Sequence, residues 1–262
     1  MSRNVKLEEQ VATALEATPG QMPFLPELLA DLDELGTDVN DILELLEPQG
    51  LPAGARVLDL GFGKGTVGMA LAREFGVRVL GVDGFAPFVE EARKRAVERG
   101  LSELCELRQG DLRDAVQELS GMDVVMLLAV GPVLGNAAET VGALRRCVRP
   151  GGYILINDGY VAEGVAVDSS PDLEDYAHLE ETRRRLQSHG DRLVRELLPS
   201  TEETDAYNAS NTEAIRRRAE AIAARYPEAA ALVREFVAEQ ERQSELLTTD
   251  LLGALWLLQR GP

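Results

Sequence analysis

The chain has 262 residues, 45% of them apolar, and a formal net charge of −18. This length and apolar fraction suffice for a packed core, whereas so acidic a surface repels phosphate backbones and anionic lipid, so we expect neither nucleic acid nor a membrane as a partner. The longest uncharged apolar stretch, Val124 to Gly135, is too short to span a bilayer as a helix. Two cysteines, Cys105 and Cys147, make no disulfide framework, which favours the reducing cytoplasm.

The chain opens with a predicted helical cap, residues 1–50, whose helices cover 5–17 and 24–47, with interruptions at the Pro19-Gly20 turn and at Gly36. From residue 55 onward, short apolar runs alternate with amphipathic segments. The predicted strands are 56–60, 78–82, 104–109, 123–128 and 152–157, and the helices between them are 66–75, 86–99, 112–119 and 136–148. Such alternation is typical of a parallel sheet with helices on both faces.

After Asp158 the alternation stops. We predict a polar helix over 172–188, a sixth strand in the segment RLVRELL, helices over 211–225 and 228–247, and a final strand in LLGALWLLQ. We treat residues 1–262 as a single domain. It consists of the cap (1–50), a cofactor-binding core (51–160) and a helical insertion (200–248) before the last strand.

The most informative segment is VLDLGFGKGTVG, residues 57–68, a glycine-rich loop that directly follows the first predicted strand. Its Gly63-Lys64 pair resembles the end of an ATP-binding P-loop. That motif requires a glycine five positions before the pair, where Leu58 stands, which argues against a P-loop.

A dinucleotide-binding loop is the second interpretation. Gly63, Gly65 and Gly68 satisfy G-x-G-x-x-G, and Asp83 lies 20 residues after Gly63, the spacing of the acid that binds the ribose of NAD. This frame leaves Asp59 and Gly61 without a role.

The third interpretation accounts for all of these residues. Asp59-x-Gly61-x-Gly63-x-Gly65 resembles the acidic-glycine signature of class I S-adenosylmethionine (SAM) methyltransferases. The resemblance implies that the glycines let the backbone approach the methionine part of SAM and that Asp59 helps to anchor its amino group. Any side chain on these glycines would occupy cofactor space or forbid the backbone angles.

Later segments follow the same family in order. The resemblance implies that Asp83 of GVDGF binds the ribose hydroxyls and that Asp111 of LRQGDLRDA accepts a hydrogen bond from the adenine amino group; Asp111 can also cap a helix. The segment LRRCVRPGGYILIND resembles the helix, Pro-Gly-Gly turn and fifth strand of the family. The cofactor-binding residues that the resemblance implies are Asp59, Gly61, Phe62, Gly63, Gly65, Asp83, Gly84, Asp111, Leu112 and Ala129.

The implied fold is an α/β, Rossmann-like, seven-stranded and mostly parallel sheet with helices on both faces, and its last strand is antiparallel. The resemblance is close over residues 50–160 and topological over 190–198 and 250–260. Residues 1–47 and 200–248 lie where the family varies, and we expect them to shape the acceptor pocket. Phe85 and Phe88 are more typical of helix packing than of an adenine platform.

Catalytic candidates follow from where ligands bind in open α/β sheets, at the carboxyl ends of the strands. We name Asp158, Tyr160 and His178, without assigning a base. His189, at a predicted helix end, is a weaker candidate. Polar residues that open the insertion are further candidates for lining the pocket, and an arginine run is either an anion clamp or a solvated face. These are Tyr207, Asn208 and Asn211, and Arg216 to Arg218.

The sequence therefore predicts methyl transfer from SAM to a small-molecule acceptor. Two alternatives stay open: an NAD(P)-dependent oxidoreductase, and a SAM-binding protein without catalysis. No spacing of ligands suggests a metal site. The sequence identifies neither the acceptor atom nor the oligomeric state, for which a homodimer is one option.

Overall fold

A computed structural model describes residues 3–262, with side chains from residue 7 onward, so the first two residues of the predicted cap lie outside the described part. The strands are β1 (Arg56–Leu60), β2 (Arg78–Asp83), β3 (Cys105–Gln109), β4 (Met122–Leu128), β5 (Val148–Val161), β6 (Arg192–Leu197) and β7 (Leu251–Gln259). The helices are α1 (Arg3–Ala14), α2 (Leu25–Leu28), α3 (Val39–Leu46), α4 (Thr66–Phe75), α5 (Ala86–Glu98), α6 (Leu112–Glu118), α7 (Ala137–Cys147), α8 (Leu179–Leu186), α9 (Thr201–Arg225) and α10 (Ala230–Thr249).

These elements form two compact units. The first, the sheet unit, comprises Glu34–Leu198 and Ala254–Pro262. The second, the helical unit, comprises the described residues up to Asp33 together with Pro199–Gly253. The sequence-defined cap is therefore divided at Asp33, and its later part belongs to the sheet unit.

The sheet unit contains the predicted α/β architecture. The sheet has the strand order β3-β2-β1-β4-β5-β7-β6. Its pairs β1–β2, β1–β4, β2–β3 and β4–β5 are parallel, and β6–β7 is antiparallel. This confirms the predicted seven-stranded, mostly parallel sheet with an antiparallel last strand.

Both faces of the sheet are buried. Along β4, Val124 and Met126 pack into one apolar cluster, and Val125 and Leu127 pack into the other. Successive side chains of a strand point to opposite faces, so a strand covered by helices on both sides must be apolar throughout. That requirement explains the unbroken apolar run from Val124 to Leu128.

The strand order also determines where a ligand can bind. The chain moves outward from β1 through β2 to β3 and then returns to add β4 on the other side of β1. At such a switch point the loops after β1 and β4 separate, and they leave a crevice at the carboxyl ends of the strands. The glycine-rich loop follows β1 at this place.

Several predicted element boundaries were wrong. The interruption predicted at Gly36 is present, since the helical segment expected over 24–47 consists of α2 and α3, but both helices are shorter than expected. The polar helix expected over 172–188 is shortened to α8, whereas α9 begins ten residues before the predicted start at 211. Ser200 explains the early start, because it forms a capping box with Glu203.

The helical unit has its own core. Apolar side chains of its helices pack inside it: Leu25 and Leu28 are buried on α2, which contacts α9, and Phe236 is buried on α10. Gln21 donates from Nε2 to the carbonyl of Leu232 over 3.0 Å. Among residues 3–262, no helix is both long and apolar enough to cross a membrane.

Candidate active site

The glycine-rich loop leaves β1 in a conformation that side chains disfavour. The N–H of Gly61 donates to the carbonyl of Val82 over 2.8 Å, which holds the start of the loop against β2. Gly61, Gly63 and Gly65 have φ of +74°, +55° and +76°. A Cβ on Gly61 would also lie 2.5 Å from Cγ2 of Val130. Glycine is therefore required at Gly61 both by the backbone angle and by the space.

Asp83 joins the end of β2 to this loop. Its Oδ2 accepts from the N–H of Gly63 and its Oδ1 from the N–H of Phe85, each over 2.8 Å. Burial raises the pKa of the Asp83 carboxyl to about 6, although the two N–H donors lower it. Because each carboxylate oxygen can accept a second hydrogen bond, the side chain keeps capacity for ribose hydroxyls.

Asp59 lies deeper, at the end of β1. Burial, followed by the neighbouring charge of Asp83, raises the pKa of the Asp59 carboxyl to about 7. A Cβ on Gly68 would lie 3.0 Å from Oδ2 of Asp59, so the fourth glycine of the segment lets α4 approach this carboxylate. The site thus brings together two acidic groups that a positively charged ligand would stabilise in their ionised forms.

The turn after β4 forms the opposite side of the loop. Ala129 is exposed and has φ of +52°, an uncommon angle for a residue other than glycine. Its N–H donates to the carbonyl of Asn157 over 3.0 Å. A Cβ on Gly36 would lie 2.8 Å from the Cβ of Ala129. Strain of this kind concentrates at functional sites, which supports the choice of Ala129 as a candidate.

The segment around Gly36 lies within residues 1–47, which we expected to shape the acceptor pocket, but none of its residues was named from the sequence as part of the site. Nδ2 of Asn157 donates to the carbonyl of Gly36 over 3.0 Å and to Oγ1 of Thr37 over 2.6 Å. A Cβ on Gly63 would lie 3.1 Å from Cδ1 of Leu35. The link between β5 and this segment spans 120 residues of chain, and the only local signal was the glycine itself, which indicated a helix break.

Asp111 caps α6. Its side chain accepts from the N–H of Arg113 over 2.9 Å and pairs with the guanidinium of the same residue. The adenine contact stays a prediction. Phe85 and Phe88 pack edge to face with centroids 4.8 Å apart, which is the packing role expected for them.

The other implied cofactor residues surround the loop. The ring of Phe62 packs over Gly81, where a Cβ would lie 2.6 Å from Cδ1 of the ring. The carbonyl of Gly84 accepts from Nε2 of Gln109 over 3.1 Å, and Leu112 is buried at the start of α6.

Asp158 is the catalytic candidate in the most unusual environment. Burial raises the pKa of its carboxyl to about 6, and hydrogen bonds from the Gly159 N–H and the Tyr176 hydroxyl lower it. The residue lines a small cavity together with Thr182 and Trp256. Its carboxylate is therefore poised to exchange a proton near neutral pH.

The remaining candidates are already engaged in local structure. Tyr160 packs against the apolar cluster that contains Val125. Nδ1 of His178 lies 3.2 Å from the carbonyl of Val161, and Nε2 of His189 lies 2.9 Å from the carbonyl of Ala138.

Of the predicted pocket residues after Asp158, those in the insertion belong to the helical unit. They are Tyr207, Asn208, Asn211 and Arg216 to Arg218. Arg216 pairs with Glu213 and Glu241, and Arg218 pairs with Asp31, which favours the solvated-face interpretation of the arginine run.

No three His, Cys, Asp or Glu side chains in the described part of the chain lie close enough to hold a metal ion. The residues at the strand ends do fit SAM: a cradle without side chains, and carboxylates for its hydroxyl and amino groups. The comparisons with known proteins agree with this fit.

Residues 57–152 match the family model described as a methyltransferase domain. The chain is similar to a SAM-dependent methyltransferase from Geobacter sulfurreducens, solved in complex with S-adenosyl-L-homocysteine (SAH). The two structures superpose with a TM-score of 0.75 at 25% identity, over 90% of this chain and 97% of the other. This chain carries a methyltransferase domain of the class I, SAM-dependent type.

Two relatives in sequence show how widely the similarity extends. The methyltransferase is 28% identical over 177 residues to the Escherichia coli K12 protein YjhP. The aligned region covers 64% of this chain and 70% of YjhP. It is 32% identical over 157 residues to the 23S rRNA (uracil(1939)-C(5))-methyltransferase RlmD of Shewanella sp. ANA-3, which covers 58% of this chain but only 33% of RlmD. The cofactor of the methyltransferase is SAM, and the interpretation as a dinucleotide-binding oxidoreductase is not supported.

Proposed function

We propose that this methyltransferase transfers the methyl group of SAM to a small molecule bound at the carboxyl ends of β4 and β5. The observation that carries the proposal is that a polar and an acidic residue stand next to each other at this edge of the sheet, in a chain with a net charge of −18. Asn157, which pairs with Leu128 at the end of β4, and Asp158 both lie within β5. Several cations of the sheet unit pair with acids, as Arg113 does with Asp111 and Arg145 with Asp191. Binding to RNA requires several Lys or Arg side chains directed at phosphates.

RNA is the second candidate for the acceptor, because RlmD acts on 23S rRNA by its name. The similarity covers a third of RlmD, and the net charge of −18 opposes an RNA surface. A methyl-transfer assay separates the two. Cell extract is divided into a metabolite filtrate, total RNA and lipid, and each fraction is incubated with enzyme and methyl-labelled SAM. We expect label in the filtrate; label in RNA alone would overturn the proposal, and no label anywhere would favour a SAM-binding protein without catalysis.

The residues of the site support a division of roles. When bound, SAM supplies a methyl group on a positively charged sulfur, and its transfer is an in-line displacement. Asp59 and Asp83 hold the cofactor through its amino and hydroxyl groups, and the loop glycines let the backbone close around it. The rate gained by orientation depends on this hold, since a fixed geometry replaces an encounter in solution.

For acceptors that must lose a proton, we propose Asp158 as the proton acceptor. Its carboxyl pKa of about 6 leaves it ionised at neutral pH yet basic enough to take a proton. Asp158→Asn should lower kcat by about 100-fold, the lower end for general base catalysis, with little effect on the Kd of SAH. Asp175→Asn, at a neighbouring carboxylate of the same cavity, serves as the control. A kcat for Asp158→Asn equal to that of the control would exclude this role.

A further inference from the structure

Lys64 is the one positively charged residue of the glycine-rich segment 57–68, and the cofactor signature gives it no role. It stands between Gly63 and Gly65, yet its side chain is fully buried, with 0% of its surface exposed. Lysine is almost never buried to this degree unless its charge is paired. The burial therefore indicates a specific function for the ammonium group within the protein.

An ion-pair partner of Lys64 lies on α5. Its Nζ is 3.7 Å from Oε1 of Glu91, and the same oxygen accepts from Nη2 of Arg95 over 2.6 Å. Helix α5 is itself fixed to the sheet, because Nε of Arg93 donates to the carbonyl of Leu107 on β3 over 2.9 Å. The ion pair thus connects the loop to a helix that cannot shift without disturbing β3.

The loop is held from two sides. On one side, Asp83 accepts from the N–H of Gly63. On the other, the chain after Lys64 approaches α5 so closely that a Cβ on Gly65 would lie 3.2 Å from Cβ of Ala92. Glycines have a wide choice of backbone angles, so a loop that is rich in them needs such restraints to keep one conformation.

We propose that Lys64 is a positioning residue for the cofactor: its buried ion pair with Glu91 keeps the glycine-rich loop in the conformation that binds SAM. The proposal rests on the assignment of this loop to the cofactor. Lys64 acts through the backbone of its neighbours. Without the ion pair, the loop populates several conformations, and the apparent Kd rises in inverse proportion to the fraction that is competent to bind.

The test measures cofactor affinity and stability separately. Lys64→Met removes the charge and keeps the length of the side chain, and Glu91 stays paired with Arg95. We expect the Kd of SAH, measured by calorimetry, to rise about tenfold, as for a loop that is competent a tenth of the time. We expect Tm to change little, because an apolar side chain in place of a buried charge is often neutral or stabilising. At saturating SAM, kcat should stay near that of the wild type.

Matched controls lie on the same helix. Lys94 and Glu98 form an exposed pair with a similar separation of 3.8 Å, so Lys94→Met and Glu98→Gln change the net charge equally without touching the loop. Both should bind SAH as the wild type does. In the double variant Lys64→Met/Glu91→Gln, the loss of SAH affinity should not exceed the loss in Lys64→Met alone, because the two side chains act as one pair.

The outcomes decide the proposal. The proposal is overturned if the Kd of SAH for folded Lys64→Met lies within twofold of the wild-type value. It is also overturned if Lys94→Met loses as much SAH affinity as Lys64→Met. If Lys64→Met does not fold, Glu91→Gln gives the same measurement, and a wild-type Kd there also overturns the proposal. Failure of the wild-type enzyme to bind SAH would instead contradict the assignment of the cofactor site.

Discussion

At the scale of single residues, Asp83 carries a direct prediction. Asp83→Ala removes the acceptor for two backbone N–H groups and the proposed acceptor for the ribose. Loss of a charged acceptor costs about 1.5–3 kcal/mol, so the Kd of SAM should rise at least about tenfold. Asp83→Asn, which keeps one carbonyl oxygen, should lose less SAM affinity than Asp83→Ala. Calorimetry on folded protein decides; an unchanged Kd in Asp83→Ala would refute the assignment.

A second residue-scale prediction concerns pH. The Asp59 carboxyl has a pKa of about 7, so it is mostly ionised at pH 8 and mostly protonated at pH 6. A cationic amino group requires the ionised form, and proton linkage then makes the Kd of SAM about tenfold higher at pH 6 than at pH 8. Asp83, with a carboxyl pKa of about 6, adds to the loss below pH 6 in the same direction.

The measurement is a series of calorimetric titrations with SAM from pH 6 to 8. Asp59→Asn carries no titratable group at this position and should bind more weakly with a flatter dependence on pH. Adenosine, which lacks the amino acid part of SAM, provides the ligand control and should depend less on pH. A Kd for SAM that is constant across this range would contradict the role of Asp59.

At the scale of elements, the turn after β1 can be tested with two glycines. Gly61 and Gly100 have φ of +74° and +69°, and a Cβ on Gly100 would meet nothing within 4 Å. Gly100→Ala should therefore lower the free energy of unfolding only by the cost of the left-handed angle, about 1–2 kcal/mol, and should bind SAH as the wild type does. In Gly61→Ala the new Cβ also contacts Val130. This variant should therefore lose more stability than Gly100→Ala, and it should also lose SAH affinity.

The contact with Val130 provides an internal check. In the double variant Gly61→Ala/Val130→Ala, the side chain that the new Cβ would meet is shortened, and part of the lost stability should return. Chemical denaturation measures the free energy of unfolding for each variant. If Gly61→Ala and Gly100→Ala lower the free energy of unfolding equally, the space around Gly61 does not exclude a Cβ.

At the scale of the whole molecule, the division into two units gives a prediction about turnover. The implied cofactor residues all lie in the sheet unit, whereas the described residues up to Asp33 belong to the helical unit with the insertion. Deleting residues 1–20 should therefore lower the rate of methyl transfer strongly and change the Kd of SAH less. The reason is that these residues are among the segments that we expect to shape the acceptor pocket.

The deletion is assayed with labelled SAM on the fraction of extract that accepts the methyl group. Hydrogen exchange on the full chain gives an independent readout, and we expect SAH to slow exchange in residues 1–47 and 200–248. Full turnover by the shortened enzyme, together with unchanged exchange in both segments, would place the acceptor pocket outside them. A loss of SAH affinity as large as the loss of turnover would show a general defect instead.

The sequence by itself determined the parts that depend on local physics. The alternation of apolar runs and amphipathic helices predicted the sheet, because a strand buried on both faces must be apolar along its length. The spacing of Asp59, Gly61, Gly63 and Gly65 predicted a glycine-rich ligand-binding loop after β1, because glycine adopts at the lowest cost the left-handed angles found at these three positions. These features are encoded within a few residues of one another.

The tertiary structure decided what depends on distant contacts. The hydrogen bonds of Asn157 to Gly36 and Thr37 join residues more than 100 positions apart, and the pair between Lys64 and Glu91 depends on how α5 packs. The cap is divided at Asp33 for the same reason, since its two parts bury their apolar side chains in different cores. Periodicity shows that a face is apolar, but the surface that buries it is selected by the rest of the chain.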